Sequence, residues 1–231
     1  MKIGLIGAGH IGGALAHRLT ALGHQVLVSN SRGPESLAAF ASESGARAVD
    51  RGDAVRGVDL IVLTIPLKNV EDLPSDLFAG VSGSVPVVDT CNYYPRQRDG
   101  RIEGIESGLT ESRWVEQEIG HPVIKAFNNI YARHLLERGL PKGAPGRIAL
   151  PVAGDEAAAK AAVLNLVDAL GFDPVDAGGL DDSWRQQPGS PVYGKDFDAA
   201  GVGAALAAAH EERTPEWRAA SGSPGAPAAP A

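Results

Sequence analysis

Short apolar runs alternate with helix-like segments along most of the chain. Residues 1–6 and 25–28 form apolar runs typical of buried parallel strands. Between them, Leu15 and Leu19 recur at helical spacing and Gly23 follows as a helix-ending residue. The opening of the chain therefore predicts a strand, a loop, a helix and a second strand.

The loop between the first strand and the helix has the spacing G-x-G-x-x-G. In this strand–loop–helix–strand context the spacing predicts a dinucleotide-binding site. The first glycine permits a tight turn, the second lets the backbone approach a pyrophosphate, and the third lets helix and strand pack closely. The helix N-terminus offers free N–H groups to the phosphates. The predicted pyrophosphate-binding residues are Gly7, Gly9, His10, Ile11 and Gly12.

The end of the second strand indicates which dinucleotide is bound. An acidic residue there bonds the ribose 2′-hydroxyl of NAD, whereas an arginine accommodates the 2′-phosphate of NADP. This chain has Ser29, Asn30, Ser31 and Arg32 at that place, and its first carboxylate is Glu35. Neutral donors beside a planar, permanently charged fork suit a phosphate. We predict NADP(H); the alternative is that Arg32 is a solvated loop residue.

The alternation continues downstream. Further strands are predicted over residues 46–49, 59–65, 85–88, 123–126, 148–152 and 172–175. Further helices are predicted over residues 53–58, 69–78, 111–118, 156–170 and 198–209. This order predicts an α/β fold with a Rossmann-type, doubly wound parallel sheet. We expect an NADP-binding Rossmann domain over residues 1–145, a small C-terminal α/β extension over 146–209 that packs on it and is a possible dimer contact, and a flexible tail over 210–231.

Three predicted strand ends carry small, polar or aromatic residues. Ligands of open α/β sheets bind beyond the carboxyl ends of the strands. We therefore predict that these ends line the nicotinamide half of the cofactor, although the same residues also favour plain turns. The predicted contacts are Thr64, Ile65, Pro66, Asn92, Ala126 and Asn128.

An acid–base catalyst is harder to find. Only His134 and Tyr93 are weak candidates, with packing or solvent contact as the alternative, and Lys125 inside an apolar strand is expected to snorkel or to pair with a carboxylate. Reduction of a carbonyl needs a proton as well as a hydride, whereas exchange with another redox cofactor needs mainly alignment of two rings. The lack of an evident donor favours transfer between cofactors.

Composition excludes several other classes of function. The 231 residues carry a net charge of −7, so general attraction to nucleic acid is not expected. No apolar run approaches the length of a transmembrane helix, and Met1 leads directly into the first strand, so neither a membrane span nor a signal peptide is expected. The single cysteine, Cys91, excludes an internal disulfide and a cysteine-based zinc site. We expect a cytoplasmic protein with a small-molecule partner and no metal.

Several segments resemble one enzyme family. They are GLIGAGHIGGALA, VLVSNSRGPESL, LTIP, DTCNYYP, VIKAFNNI, LPVAGD and SWRQQPGSPVY. Together they resemble the NADP-dependent reductases related to coenzyme F-420:NADP oxidoreductase, a deazaflavin enzyme. More distantly, the chain is similar to the NADPH-binding domain of membrane metalloreductases. The resemblance implies an NADP(H)-binding domain, often dimeric, with the 2′-phosphate at Ser31 and Arg32.

Three functional hypotheses follow. The first is hydride transfer between NADP(H) and a second redox partner, such as coenzyme F-420 or a flavin. The second is NADPH-dependent reduction of a small carbonyl or imine, with His134 or Tyr93 as proton donor. The third is a non-catalytic NADP(H)-sensing module. Residues 182–188 differ from what we expect in the archaeal deazaflavin enzymes, so the second substrate stays open.

Overall fold

Six short parallel strands form the main sheet. In this computed structural model, which describes residues 1–220 and 223–224, their spatial order is β3-β2-β1-β4-β5-β6. The strands are β1 (Lys2–Ile6), β2 (Gln25–Ser29), β3 (Arg47–Ala48), β4 (Leu60–Leu63), β5 (Val87–Asp89) and β6 (Ile124–Lys125). The order reverses between β1 and β4, which is the switch point where doubly wound sheets bind ligands. The predicted Rossmann-type fold is confirmed.

Helices connect these strands and cover both faces of the sheet. They are α1 (His10–Ala21), α2 (Ala38–Ser44), α3 (Arg51–Val55), α4 (Glu103–Glu106), α5 (Glu111–Ile119), α6 (Ala132–Glu137), α7 (Ala157–Ala169) and α8 (Ala199–Ala207). Short 3-10 segments lie at Pro34–Leu37, Leu67–Val70, Leu180–Gln186 and Pro215–Trp217, and a π-helical turn at Pro95–Asp99. Within the described residues, no helix has the length and apolarity needed to cross a membrane.

A second, two-stranded parallel sheet consists of β7 (Ala149–Val152) and β8 (Asp173–Asp176). It joins the main sheet through an antiparallel bridge between Lys125 and Ala153, whose backbone groups exchange hydrogen bonds of 2.8 and 3.0 Å. Helices α7 and α8 pack against it. The C-terminal α/β extension thus continues from the edge strand β6.

Alternate residues of the strands supply two hydrophobic cores, one on each face. In β4, Leu60 and Val62 belong to the core beneath α1 and α7, whereas Ile61 and Leu63 belong to the core beneath α3 and α5. All four side chains are at most 1% exposed. Burial on both faces explains why this strand is continuously apolar in the sequence.

The structure differs from the sequence-based expectations in several segments. Helices α4 and α6 were not predicted. The predicted helix over 69–78 is wrong: only Leu67–Val70 is helical, and turns follow. Pro74 explains this, because proline lacks the N–H and disfavours helical geometry in the preceding residue.

The predicted tail also differs at its start. Arg213 donates to Glu111 at 2.6 Å, and the backbone N–H of Ala219 donates to Glu106 at 2.8 Å. Residues 210–220 therefore include groups tied to the body of the protein. The remainder of the predicted tail, 221–231, lies outside the described residues apart from 223–224.

Candidate functional site

The glycine loop connects β1 to α1 and needs glycine at two positions. Gly7 has a φ of +114°, and a Cβ there would lie 2.1 Å from the carbonyl oxygen of Thr64. A Cβ on Gly12 would lie 2.4 Å from the carbonyl oxygen of Gly7. A Cβ on Gly9 would meet nothing within 4 Å, so open space lies beside the backbone where α1 begins. A pyrophosphate would fit there, against the free N–H groups of the first helical turn.

A cavity of about 640 Å³ extends from this loop across the carboxyl ends of β1, β2 and β4. It brings together most residues predicted for the cofactor on this side of the sheet, from three separate segments. The predicted residues in its lining are Gly7, Gly9, Asn30, Ser31, Arg32, Thr64, Ile65 and Pro66. The structure adds Arg51, which sequence reasoning did not single out.

The loop after β2 presents Arg32 to the cavity. Asn30 shapes this loop, because its Oδ1 accepts the backbone N–H of Arg32 at 2.9 Å and its Nδ2 donates to Ser36 Oγ at 2.8 Å. The prediction that Ser29 contacts the cofactor is corrected: its side chain is fully buried and its Oγ donates to the Leu5 carbonyl at 3.2 Å. Ser31 and Arg32 are exposed and suited to hold a phosphate.

The ends of β5 and β6 are held together by side-chain amides. Asn128 Nδ2 donates to Asn92 Oδ1 at 3.1 Å, and Asn92 Nδ2 donates to the Asn128 carbonyl at 2.9 Å. Gln186 lies on the other side, where its Nε2 donates to Asn128 Oδ1 at 3.0 Å and its carbonyl accepts Asn128 Nδ2 at 2.7 Å. Both asparagine side chains are therefore committed to protein partners. They position this edge of the site, and the hydrogen bonds from Gln186 hold Asn128 in place.

Strained backbone lies at the same edge. Phe127 has a φ of 60°, the only positive φ outside glycine among the described residues. A bulky residue in this region is a genuine outlier, and such strain costs about 1–3 kcal/mol and clusters at functional sites. Ala126 before it is fully buried, so its side chain contributes packing.

Three aromatic side chains, here named the aromatic edge, lie beside Asn92: Tyr94, Tyr193 and Trp217. The two tyrosine hydroxyls are hydrogen-bonded to each other, and Asn92 Nδ2 donates to the Tyr193 hydroxyl at 3.4 Å. Their rings lie 6.2 and 6.4 Å from the indole of Trp217. Arg98 stacks over Tyr94 at 4.9 Å from the ring centre. All three side chains are partly exposed, and none of them belongs to the lining of the 640 Å³ cavity.

The aromatic edge also supplies hydroxyl donors. Burial, and then the hydrogen bond with Tyr94, raise the pKa of Tyr193 far above its ordinary value. The hydroxyl is therefore protonated at neutral pH and available as a donor. Sequence reasoning missed it because Tyr193 and Tyr94 are 99 positions apart.

Neither predicted catalytic candidate fits that role. Tyr93 is 0% exposed, its hydroxyl donates to the Gly100 carbonyl at 2.8 Å and accepts the Ile102 N–H at 3.0 Å, and burial raises its pKa. It is a structural residue. His134 lies on α6 with its Nδ1 2.8 Å from Asp196. It forms a surface pair with that carboxylate.

A buried ionic cluster lies beneath the loop after β5. Lys125 Nζ is 3.2 Å from Asp89 and 3.7 Å from Glu111, and it donates to the Cys91 carbonyl. The prediction that Lys125 pairs with a carboxylate is confirmed. Burial alone would lower the pKa of Lys125, but the two carboxylates outweigh it and raise the pKa, so the group stays charged. Burial raises the pKa of Cys91, which remains a thiol.

Residues 2–93 match the family described as NADP oxidoreductase coenzyme F420-dependent. The chain belongs to this family. The match covers the glycine loop, the Arg32 loop and the strand end at Pro66, so family membership supports NADP(H) as the cofactor. The matched region ends before Tyr94, so all three residues of the aromatic edge lie outside it.

Two solved structures are similar to this chain over most of its length. The solved structure of SMa0349 from Sinorhizobium meliloti is 32% identical, with a TM-score of 0.72, over 85% of this chain and 95% of that one. A structure described as an F420-dependent NADP reductase from Arthrobacter sp. FB24 is 24% identical, with a TM-score of 0.64, over 79% and 87%. That second likeness concerns the fold.

The curated relatives match over shorter stretches. YjhV of Escherichia coli (strain K12) is 51% identical over 61 residues, which are 26% of this chain and 44% of that protein. The chain spans less than half the length of the curated relatives that it matches.

Proposed function

We propose that the protein transfers hydride between NADP(H) and a flat aromatic redox partner, either a deazaflavin such as coenzyme F-420 or a flavin. The observation that carries the proposal is the aromatic edge, a group of three partly exposed rings beside Asn92 at the end of β5. Aromatic side chains favour offset or edge contacts with another ring. A partner with a planar ring system can lie against these rings.

The residues of the site divide the work of binding. The first turn of α1 would hold the pyrophosphate, while Ser31 and Arg32 would hold the 2′-phosphate. Pro66 and Ile65 would pack on the nicotinamide side and exclude water. When bound, NADP(H) supplies or accepts the hydride. The hydrogen bonds among the side-chain amides of Asn92, Asn128 and Gln186 would hold this edge of the site rigid. The nicotinamide and the partner ring would then keep one relative orientation, which is the main requirement of hydride transfer between two rings.

Hydride exchange tests this proposal directly. Purified protein is mixed with NADPH and either oxidised coenzyme F-420 or FMN, and the absorbance of NADPH is followed. We expect exchange with at least one partner, and Trp217→Ala should raise the KM for that partner without changing NADPH affinity. Phe197→Ala is the control, because that ring is 36% exposed and lies neither in the aromatic edge nor in the cleft that Trp217 lines. Absence of exchange at every pH would rule the proposal out.

A second candidate function is reduction of a small carbonyl or imine, and the Tyr94–Tyr193 pair favours it. Tyr193 accepts from Asn92, so its own proton can be donated to Tyr94 or to a substrate. Reduction of a carbonyl or imine panel should then fall in Tyr193→Phe and persist in Tyr131→Phe, which alters a tyrosine that is 60% exposed. No NADPH oxidation with the panel would remove this candidate.

The remaining expectations are proposals of the same kind. Stereospecific hydride transfer from NADPH to any soluble acceptor would exclude a purely NADP(H)-sensing role. A small-molecule partner, a homodimer and a cytoplasmic location are proposed from the family resemblance and the composition. Light scattering of the purified chain tests the dimer.

A further inference from the structure

Arg51 lines the cofactor cavity from the start of α3, the helix that follows β3. Strand β3 pairs with β2 so that Ala48 lies opposite Val28, and the N–H of Val49 donates to the Val28 carbonyl at 2.9 Å. Neighbouring strands lie about 4.8 Å apart. Helix α3 begins at Arg51, two residues after Val49, and Arg51 and Arg32 both line the cavity. The two arginines come from segments that leave the sheet at the same edge.

Both arginines line the same cavity, and neither side chain has a polar partner. Among the described residues, no hydrogen bond or ion pair involves the guanidinium of Arg32 or of Arg51 (only the backbone N–H of Arg32 is bonded). In the part of the chain that the structure describes, Arg47 is the one other arginine whose side chain has no polar partner, and it lies outside the cavity. Arg113 and Arg147, in contrast, each contact two or more carboxylates. Two unpaired cations in one cavity indicate that an anion binds between them.

The charge of the cavity lining supports the same conclusion. Its charged side chains among the described residues are Arg32, Arg51 and Asp72. With Arg32 alone, the carboxylate of Asp72 would cancel the single positive charge, and the lining would offer a dianionic phosphate monoester no net attraction. With Arg51 the lining is positive. The second arginine therefore changes the net charge of the cavity lining from zero to positive, which favours binding of an anion.

We propose that Arg51 is a second ligand of the ribose 2′-phosphate and determines, together with Arg32, the preference for NADPH over NADH. The inference rests on the proposed NADP(H) dependence and adds a residue that no glycine-loop motif contains. Each guanidinium is a planar fork able to donate two parallel hydrogen bonds to phosphate oxygens. Two such forks on adjacent segments would grip the phosphate from two directions.

Cofactor binding to the wild type, Arg51→Ala, Arg51→Lys and Arg47→Ala tests this role. NADPH, NADH and the fragments 2′,5′-ADP and 5′-ADP are titrated by calorimetry. Arg47→Ala is the matched control, because it removes the same charge from a residue that is exposed on β3 and does not line the cavity. We expect Arg51→Ala to weaken NADPH and 2′,5′-ADP about 10- to 100-fold, as loss of a hydrogen bond to a charged group does. NADH and 5′-ADP should change less than about twofold, and Arg51→Lys should be intermediate because it keeps the charge without the fork.

Each outcome decides between the two ideas. Equal losses for NADPH and NADH would show that Arg51 contacts a shared part of the cofactor and would overturn the inference alone. No loss in Arg51→Ala, or the same loss in Arg47→Ala, would also overturn it. A wild-type protein without preference for NADPH would overturn the proposed cofactor as well. Circular dichroism confirms that each variant is folded, and Arg51→Lys gives an independent reading if the alanine variant is not.

Discussion

Replacing Lys125 by methionine should destabilise the protein strongly, because it removes one cation from a balanced buried cluster. Lys125, Asp89 and Glu111 have side chains that are 0% exposed, and Arg213 completes the set through its 2.6 Å contact with Glu111. Two cations thus face two carboxylates. Methionine fills the volume of the lysine stem but leaves two carboxylates with one cation. At least one buried carboxylate must then lose its compensation.

The expected magnitude follows from this imbalance. Breaking a buried pair by removing one partner costs about 3–5 kcal/mol. For a chain of this size, 1 kcal/mol shifts Tm by about 2–4 °C, so Tm should fall by about 6–20 °C. The matched control is Lys142→Met, which removes a lysine that is 81% exposed and 3.3 Å from Asp168. Exposed pairs are worth about 0–1 kcal/mol, so the control should lose at most a few degrees.

Thermal and urea unfolding at several pH values measure the effect. Lys125 has a raised pKa in the folded state. Its contribution to the free energy of unfolding is therefore fully present below its ordinary pKa, and it is lost only as pH rises through the pKa of the folded state. At neutral pH the wild type therefore has the full contribution. In the methionine variant, the loss should shrink toward acid, since protonation of a carboxylate removes the uncompensated charge. Equal destabilisation of the two variants, or a loss that does not depend on pH, would refute the reasoning.

Three further predictions concern single positions. Gly12→Ala should weaken NADPH binding and cost about 1–3 kcal/mol of stability, because its Cβ would overlap the loop. Gly13→Ala should be tolerated, because its Cβ would lie 3.6 Å from its nearest neighbour. Calorimetry and unfolding experiments compare the two variants. Tyr93→Phe should cost about 1–3 kcal/mol in urea unfolding and leave NADPH affinity unchanged, since its hydroxyl bonds only protein groups. Gln186→Leu should lower kcat with the redox partner more than it weakens NADPH, because it releases Asn128; steady-state kinetics would show the opposite pattern if Gln186 served only the cofactor.

The phosphate-binding part of the site was predictable because it is local in sequence. The glycine loop and Arg32 lie within one strand–helix–strand unit. The glycine spacing and the absence of an acidic residue after β2 therefore predict the phosphate-binding residues without any knowledge of distant contacts. The structure brings these residues to one cavity. The prediction for Ser29 was wrong because a position at the end of a strand does not reveal which face of the sheet its side chain occupies.

The edge that we propose for the redox partner was not predictable in the same way. The contact of Asn92 with Tyr193 joins residues 101 positions apart, and Trp217 comes from a segment whose composition predicted a tail. Tyr93 and His134 were chosen from local position, but burial and a carboxylate partner exclude them. Arg51 was overlooked because it reaches the site only through the register of β3 on β2.

The two ends of the site are therefore built by different means, and this has a consequence for specificity. The phosphate end lies within residues 2–93, the region that matches the family. The end that we propose for the redox partner consists of Asn128, Gln186, Tyr193 and Trp217, all beyond that region. A change in the C-terminal extension can alter the shape and the hydroxyl donors offered to the redox partner while the glycine loop and Arg32 stay as they are. Relatives that share the first 93 residues are expected to share the cofactor, and the residues around Gln186 and Tyr193 are expected to decide what the nicotinamide reacts with.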